Sequence, residues 1–129
     1  MIVLSEKVQK YFKKFYDRDT VLIPNGVMTH ENQKADLITQ KFGLHKDEYI
    51  CALSRLTEEK GIHFLIEAYK ELKTDKKLVI AGATSDTDGY VKMLKEMAGD
   101  DPNIIFTGFV SGKLLEEIYS NAYVYCAAF

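Results

Sequence analysis

Short apolar runs recur along the chain at residues 2–4, 21–23, 49–53, 78–81, 104–106 and 122–127. Most are continuous rather than alternating, the pattern of strands covered on both faces, as in a parallel sheet. The stretches between them carry the 3.6-residue period instead. Ser5 is placed to cap a helix with Val8, Phe12, Phe15 and Tyr16 on one face. Leu37, Ile38 and Phe42 continue the pattern, and Gly43 supplies a stop. The clearest helix follows Gly61, with Ile62, Leu65, Ile66, Tyr69 and Leu72 in one stripe. Tyr90, Leu94 and Met97 mark a further helix, and Ser111 opens another that buries Leu115, Ile118 and Tyr119. Alternation of strand and helix predicts βαβ units. The fold class is therefore α/β, a Rossmann-like parallel sheet with helices on both faces. Right-handed crossovers then bring the loops that follow strands to one edge, where open α/β sheets bind ligands.

Length and composition narrow the picture. The 129 residues suit a compact domain, and a hydrophobic fraction of 47% with net charge −2 excludes disorder. The pI of about 5.9 gives no general attraction to nucleic acid. No apolar run approaches the ~20 residues of a membrane span, and residues 1–6 show no secretion signal. Cys51 and Cys126, both within apolar runs, read as reduced thiols of a cytoplasmic protein. The stretch from Tyr16 to Thr20 marks a boundary, giving segments 1–20 and 21–129. The chain ends inside an apolar strand, the expectation for a piece of a longer protein and an edge through which such a piece could self-associate.

Four segments could carry chemistry. The strand 49–53 leads into Ser54-Arg55-Leu56-Thr57-Glu58-Glu59-Lys60-Gly61 and then a helix. Two cations and the free amides of a helix N-terminus thus meet at one edge of the sheet, a combination suited to a diphosphate. On charge alone, ordinary solvated surface with Glu58 and Glu59 nearby is the commoner reading. Pro24-Asn25-Gly26 reads as a tight turn at a strand end. Gly82 follows a buried strand and permits close approach of a ligand to the backbone. Phe109 and Val110 offer an apolar shelf for a flat base, with core packing equally open on residue type.

Other patterns fail. Gly108 to Lys113 is one residue short of a phosphate loop, and Gly82 with Gly89 makes no dinucleotide fingerprint. His30, His45 and His63 lack metal-ligand spacing, so no metal site is expected, and His63 reads as a helix-surface residue.

In order and spacing these four segments resemble the C-terminal, nucleotide-sugar-binding domain of the retaining GT-B glycosyltransferases (glycosyl transferases group 1, glycogen-synthase-like). The likeness runs from about Val21 onward; residues 1–20 resemble the end of the N-terminal domain and the interdomain linker. It implies that Arg55 and Lys60 grip the donor diphosphate and serve catalysis without a metal. By the same likeness Ser54 and Gly82 border the nucleotide, Phe109 and Val110 receive the base largely through backbone, and Asn25 and Gly26 face the interdomain cleft. Ser54 stands where many members have Gly.

The family's acidic Glu-x7-Glu motif would begin beyond Phe129. The implied substrate is a UDP-, GDP- or ADP-sugar with no further cofactor. The acceptor, a glycan or lipid, would be met through the N-terminal domain. The whole enzyme is expected in the cytoplasm or peripheral to the inner membrane face, in polysaccharide biosynthesis, whereas these residues alone should be inactive and bind nucleotide weakly. The alternative is a non-catalytic nucleotide-binding or regulatory interaction module. For a receiver-like version of it, Asp86 and Asp88 are the nearest acidic residues, with no partner at a second strand end.

Overall fold

In a computed structural model, residues 1–84 and 88–128 are described. Ser85, Asp86, Thr87 and Phe129, and the side chain of Asp88, lie outside them.

The chain forms two compact units, residues 1–30 and 31–129. The division falls ten residues beyond the boundary read from the sequence, because the run beginning at Val21 pairs backward. In the first unit, β1 (Ile2–Val3) lies parallel to β2 (Val21–Leu22), and α1 (Glu6–Tyr16) crosses between them. The Ser5 hydroxyl accepts from the Val8 amide at 3.4 Å, and Asp17 ends the helix in a left-handed conformation. No residue of α1 is buried: Phe15 and Tyr16 are more than 60% exposed, so the expected apolar face forms but stays uncovered. The segment 24–30 is irregular, and Asn25 and Gly26 do not take positive φ, which corrects the expected tight turn.

The second unit holds a parallel sheet in the order β5-β4-β3-β6. Its strands are β3 (Tyr49–Leu53), β4 (Lys77–Ala81), β5 (Ile104–Gly108) and β6 (Val124–Tyr125). Between or before them come α2 (Leu37–Phe42), α3 (Ile62–Glu71), α4 (Asp88–Ala98) and α5 (Gly112–Asn121). Alternate strand residues face opposite ways. On one face Ala52, Leu78, Ile80 and Ile104 pack with Ile62, Ile66 and Tyr69 of α3 and Tyr90 and Leu94 of α4. On the other, Tyr49, Cys51, Val79 and Ala81 pack with Ile38 of α2 and Ile118 of α5. The α/β class and the helices on both faces stand as the sequence indicates.

Not every stripe residue is buried. Leu72 and Tyr119 are exposed, the latter stacked on Tyr125 with ring centroids 5.3 Å apart. His63 is half-buried, its Nδ1 2.8 Å from the Tyr90 hydroxyl, rather than a free surface residue.

The connections explain where a ligand could sit. The chain runs β3–α3–β4–α4–β5 with both helices on one face, then returns through α5 on the other face to place β6 beside β3. The connection into β6 therefore lies on the opposite face from the one that leaves β3, so the strand order reverses beside β3, the kind of position at whose carboxyl edge open α/β sheets bind ligands.

Candidate functional site

Arg55 stands just past the carboxyl end of β3. After Leu53 the chain leaves β3, and three strand exits are tied together by backbone bonds: Ser54 N–H to the Ala81 carbonyl at 3.2 Å, Leu56 N–H to Ala83 at 3.3 Å, and Gly82 N–H to Gly108 at 3.0 Å. Leu56, 3% exposed, anchors the loop in the core. A single 3-10 turn, Glu58–Lys60, follows, and Gly61 at φ 64° turns the chain into α3. Gly61 has no side chain to cap α3, but the His63 amide donates to the Tyr90 hydroxyl at 3.4 Å, so the first turn is capped from α4 and the free amides expected there are taken; the positive end of the helix dipole remains.

Arg55 is largely exposed, and its Nη2 lies 3.2 Å from Oε1 of Glu59. The same carboxylate oxygen accepts from the Thr57 hydroxyl at 3.5 Å. Lys60 is half-buried as the last residue of the 3-10 turn, directly before α3. The two cations read from the sequence thus both lie on the short path from β3 to α3.

Two glycines have a packing reason that sequence reading missed. A Cβ on Gly82, at φ 134°, would come within 1.9 Å of the Ser54 carbonyl oxygen. The close approach there is of one strand exit to another, and not first of a ligand to the backbone. A Cβ on Gly61 would lie 2.6 Å from the Ala128 carbonyl oxygen, so the segment after β6 runs against the start of α3.

The remaining candidates separate. Phe109 is 78% exposed at the exit of β5, whereas the Val110 side chain is core, packed with Val79, Ala81 and Ile118. Any part Val110 plays toward a ligand falls to its backbone, as the resemblance implies. Asn25 and Gly26 belong to the first unit and the other candidates to the second. A cavity of about 790 Å³ opens at the carboxyl ends of β4 and β5 beside α4, lined by Gly82, Thr84, Lys95, Phe106, Thr107 and Gly108 among others. Of the site residues read from the sequence, Gly82 alone lines it. Among the described residues no cluster of three His, Cys, Asp or Glu could hold a metal ion.

Glu117 is the functional-looking residue that the periodicity did not single out. It is fully buried, and its Oε2 accepts from the backbone amides of Asp36 and Ile38 at 3.0 and 3.1 Å. Asn121, one turn on, donates to the carbonyls of Gln33 and Glu117. The available signal was two polar residues four apart, next to Ile118 on the inner side of α5. Three of these four bonds run to backbone at Gln33, Asp36 and Ile38, around the start of α2, which makes the pair a structural clamp.

The parallel sheet with helices on both faces defines a doubly wound α/β domain class. Residues 34–128 match the family of glycosyl transferases group 1, and the chain belongs to that family. It is 36% identical over 86 residues to an uncharacterized glycosyltransferase of Methanocaldococcus jannaschii, covering 64% of this chain and 22% of that protein. It is 38% identical over 64 residues to the N-acetylgalactosamine-N,N'-diacetylbacillosaminyl-diphospho-undecaprenol 4-alpha-N-acetylgalactosaminyltransferase of Campylobacter jejuni, covering 50% of this chain and 17% of that protein. The chain thus spans about a fifth of these curated relatives. The pneumococcal O-GlcNAc transferase, solved with UDP and GlcNAc, superposes with a TM-score of 0.65 over 98% of this chain and 25% of its own. At 24% identity that likeness shows the fold, which is that of GT-B glycosyltransferases. Among the described residues no helix is long and apolar enough to cross a membrane.

Proposed function

We propose that this chain holds the nucleoside diphosphate of an activated sugar donor, within a retaining glycosyltransferase that transfers the sugar to an acceptor without a metal ion. The observation that carries the reading is the position of Arg55 and Lys60. Both lie between the carboxyl end of β3 and the N-terminus of α3, at the edge of the sheet where the strand order reverses.

Breaking the bond between anomeric carbon and phosphate oxygen puts negative charge on the departing diphosphate. The Arg55 guanidinium, the Lys60 ammonium and the positive end of the α3 dipole would meet that charge as it develops. A cation about 4 Å from an anion gains ~1 kcal/mol in water but ~4 at an effective dielectric near 20. Since ~1.4 kcal/mol is a factor of ten in rate, one shielded cation is worth two to three decades. The exposure of Arg55 in this chain makes that gain depend on the site closing over the donor.

Gly82, the backbone of Phe109 and Val110, and the neighbouring cavity would border the base, with Ser54 holding the loop. By the family resemblance, Asn25 and Gly26 would belong to a loop that faces the interdomain cleft of the whole enzyme. The pneumococcal relative's UDP supports a nucleoside diphosphate as ligand. Asp86, on which a receiver-like reading leaned, lies outside the described residues.

Calorimetric titration of the chain with UDP, GDP and ADP tests the reading. Weak binding of at least one, lost by tenfold or more in Arg55→Ala or Lys60→Ala and insensitive to EDTA, is expected. Binding by none of the three, or binding indifferent to both substitutions, overturns it.

A further inference from the structure

Arg55 enters the site already engaged. Its guanidinium contacts one oxygen of Glu59, and that oxygen is also reached by the Thr57 hydroxyl. A carboxylate and a phosphate present the same kind of anionic oxygen to a guanidinium fork. From Arg55 to Lys60 the formal charges are two positive and two negative, so an incoming anion competes with a carboxylate already at the Arg55 guanidinium.

We infer that Glu59 is an internal stand-in for the donor phosphate: it holds the Arg55 guanidinium at the strand exit and must be displaced when the diphosphate arrives. Glu59 is thus a positioning residue, and the inference rests on the proposed nucleotide reading. Its consequence is selectivity by charge. A ligand must bring more negative charge than the single carboxylate it replaces, which favours a diphosphate over small monovalent anions. Glu58 is the internal control. It carries the same charge one residue away, yet among the described residues it forms no ion pair with Arg55.

The test is a double-mutant cycle on the full 129-residue chain, read by calorimetry with UDP, GDP and ADP at low ionic strength. Glu59→Gln should tighten whichever diphosphate binds by about three- to fivefold, the range expected when an exposed ion pair is removed. Glu58→Gln should change it by less than about twofold, since it alters only screened, longer-range charge. In an Arg55→Ala background, Glu59→Gln should give no gain. Unchanged or weakened binding in Glu59→Gln, a gain matched by Glu58→Gln, or a gain that survives without Arg55 overturns the inference. If wild type binds and Arg55→Ala weakens it while Glu59→Gln has no effect, this inference falls and the nucleotide reading stands. No binding by wild type and all variants removes both.

Discussion

Glu117 and Glu59 sit on one compact unit and hold their partners in opposite settings. The first is fully buried and receives two backbone amides from the start of α2; the second is 64% exposed and pairs with one guanidinium at the exit of β3. Hydrogen bonds to a buried charge carry stability, because removing the charge leaves buried donors without an acceptor. An exposed pair is screened by water and salt, so it contributes little to folding and remains available for exchange with a ligand. Where a fold keeps its polar groups dry they fix the structure, and where it leaves them wet they stay free to bind.

The contrast breaks first, if it breaks, at the buried seam. Glu117→Ala should cost about 3 kcal/mol in urea denaturation, from two charged hydrogen bonds lost in the interior. A cost below about 1 kcal/mol would show that water reaches the freed amides. Gly82→Ala should cost about 2 kcal/mol or more, through an unfavourable φ and the clash with the Ser54 carbonyl. It should also weaken nucleotide binding, since the exits of β3 and β4 must part.

Tyr49→Phe sharpens the comparison by removing one neutral bond, from the Tyr49 hydroxyl to the Ile118 carbonyl at 2.6 Å. Its expected cost is about 1 kcal/mol.

Alkaline pH probes the same buried face. Burial pushes the Cys51 thiol up to about 12 and the Tyr49 hydroxyl higher still. The folded protein therefore keeps a proton that the unfolded chain gives up. Stability is complete below about pH 8.5, where the unfolded thiol titrates, and is lost progressively as pH rises toward about 12. Chemical denaturation between pH 8 and 11 should show this fall, and Cys51→Ala should flatten part of it.

The smallest stability effect belongs to the exposed site. Arg55→Ala should change folding free energy by less than about 0.5 kcal/mol while it weakens nucleotide binding. A large loss of stability there would make Arg55 a structural residue.

The sequence alone determined the elements and the sheet class. Continuous apolar runs such as 78–81 bury on both faces, and a stripe such as Ile62, Ile66 and Tyr69 has one dry side, whatever the partner. It also placed Arg55 and Lys60 between a strand and a helix, because a βα connection in a parallel sheet ends at one edge. Periodicity could not say whether an apolar face finds cover. The stripe of α1 is as regular as that of α3, yet only the latter is buried, since burial needs a second layer that local pattern does not encode.

Tertiary structure alone decided the rest. It set Val110 in the core, brought the Ser54 carbonyl against Gly82 and carried Glu117 across 79 residues of chain to the amide of Ile38. It also returned β6 to the side of β3, so that the strand order reverses beside the loop that carries the cations. Each of these is a contact between segments distant in sequence. Such contacts depend on how layers stack and in what order strands lie, whereas the pattern within a segment fixes only which of its sides must avoid water.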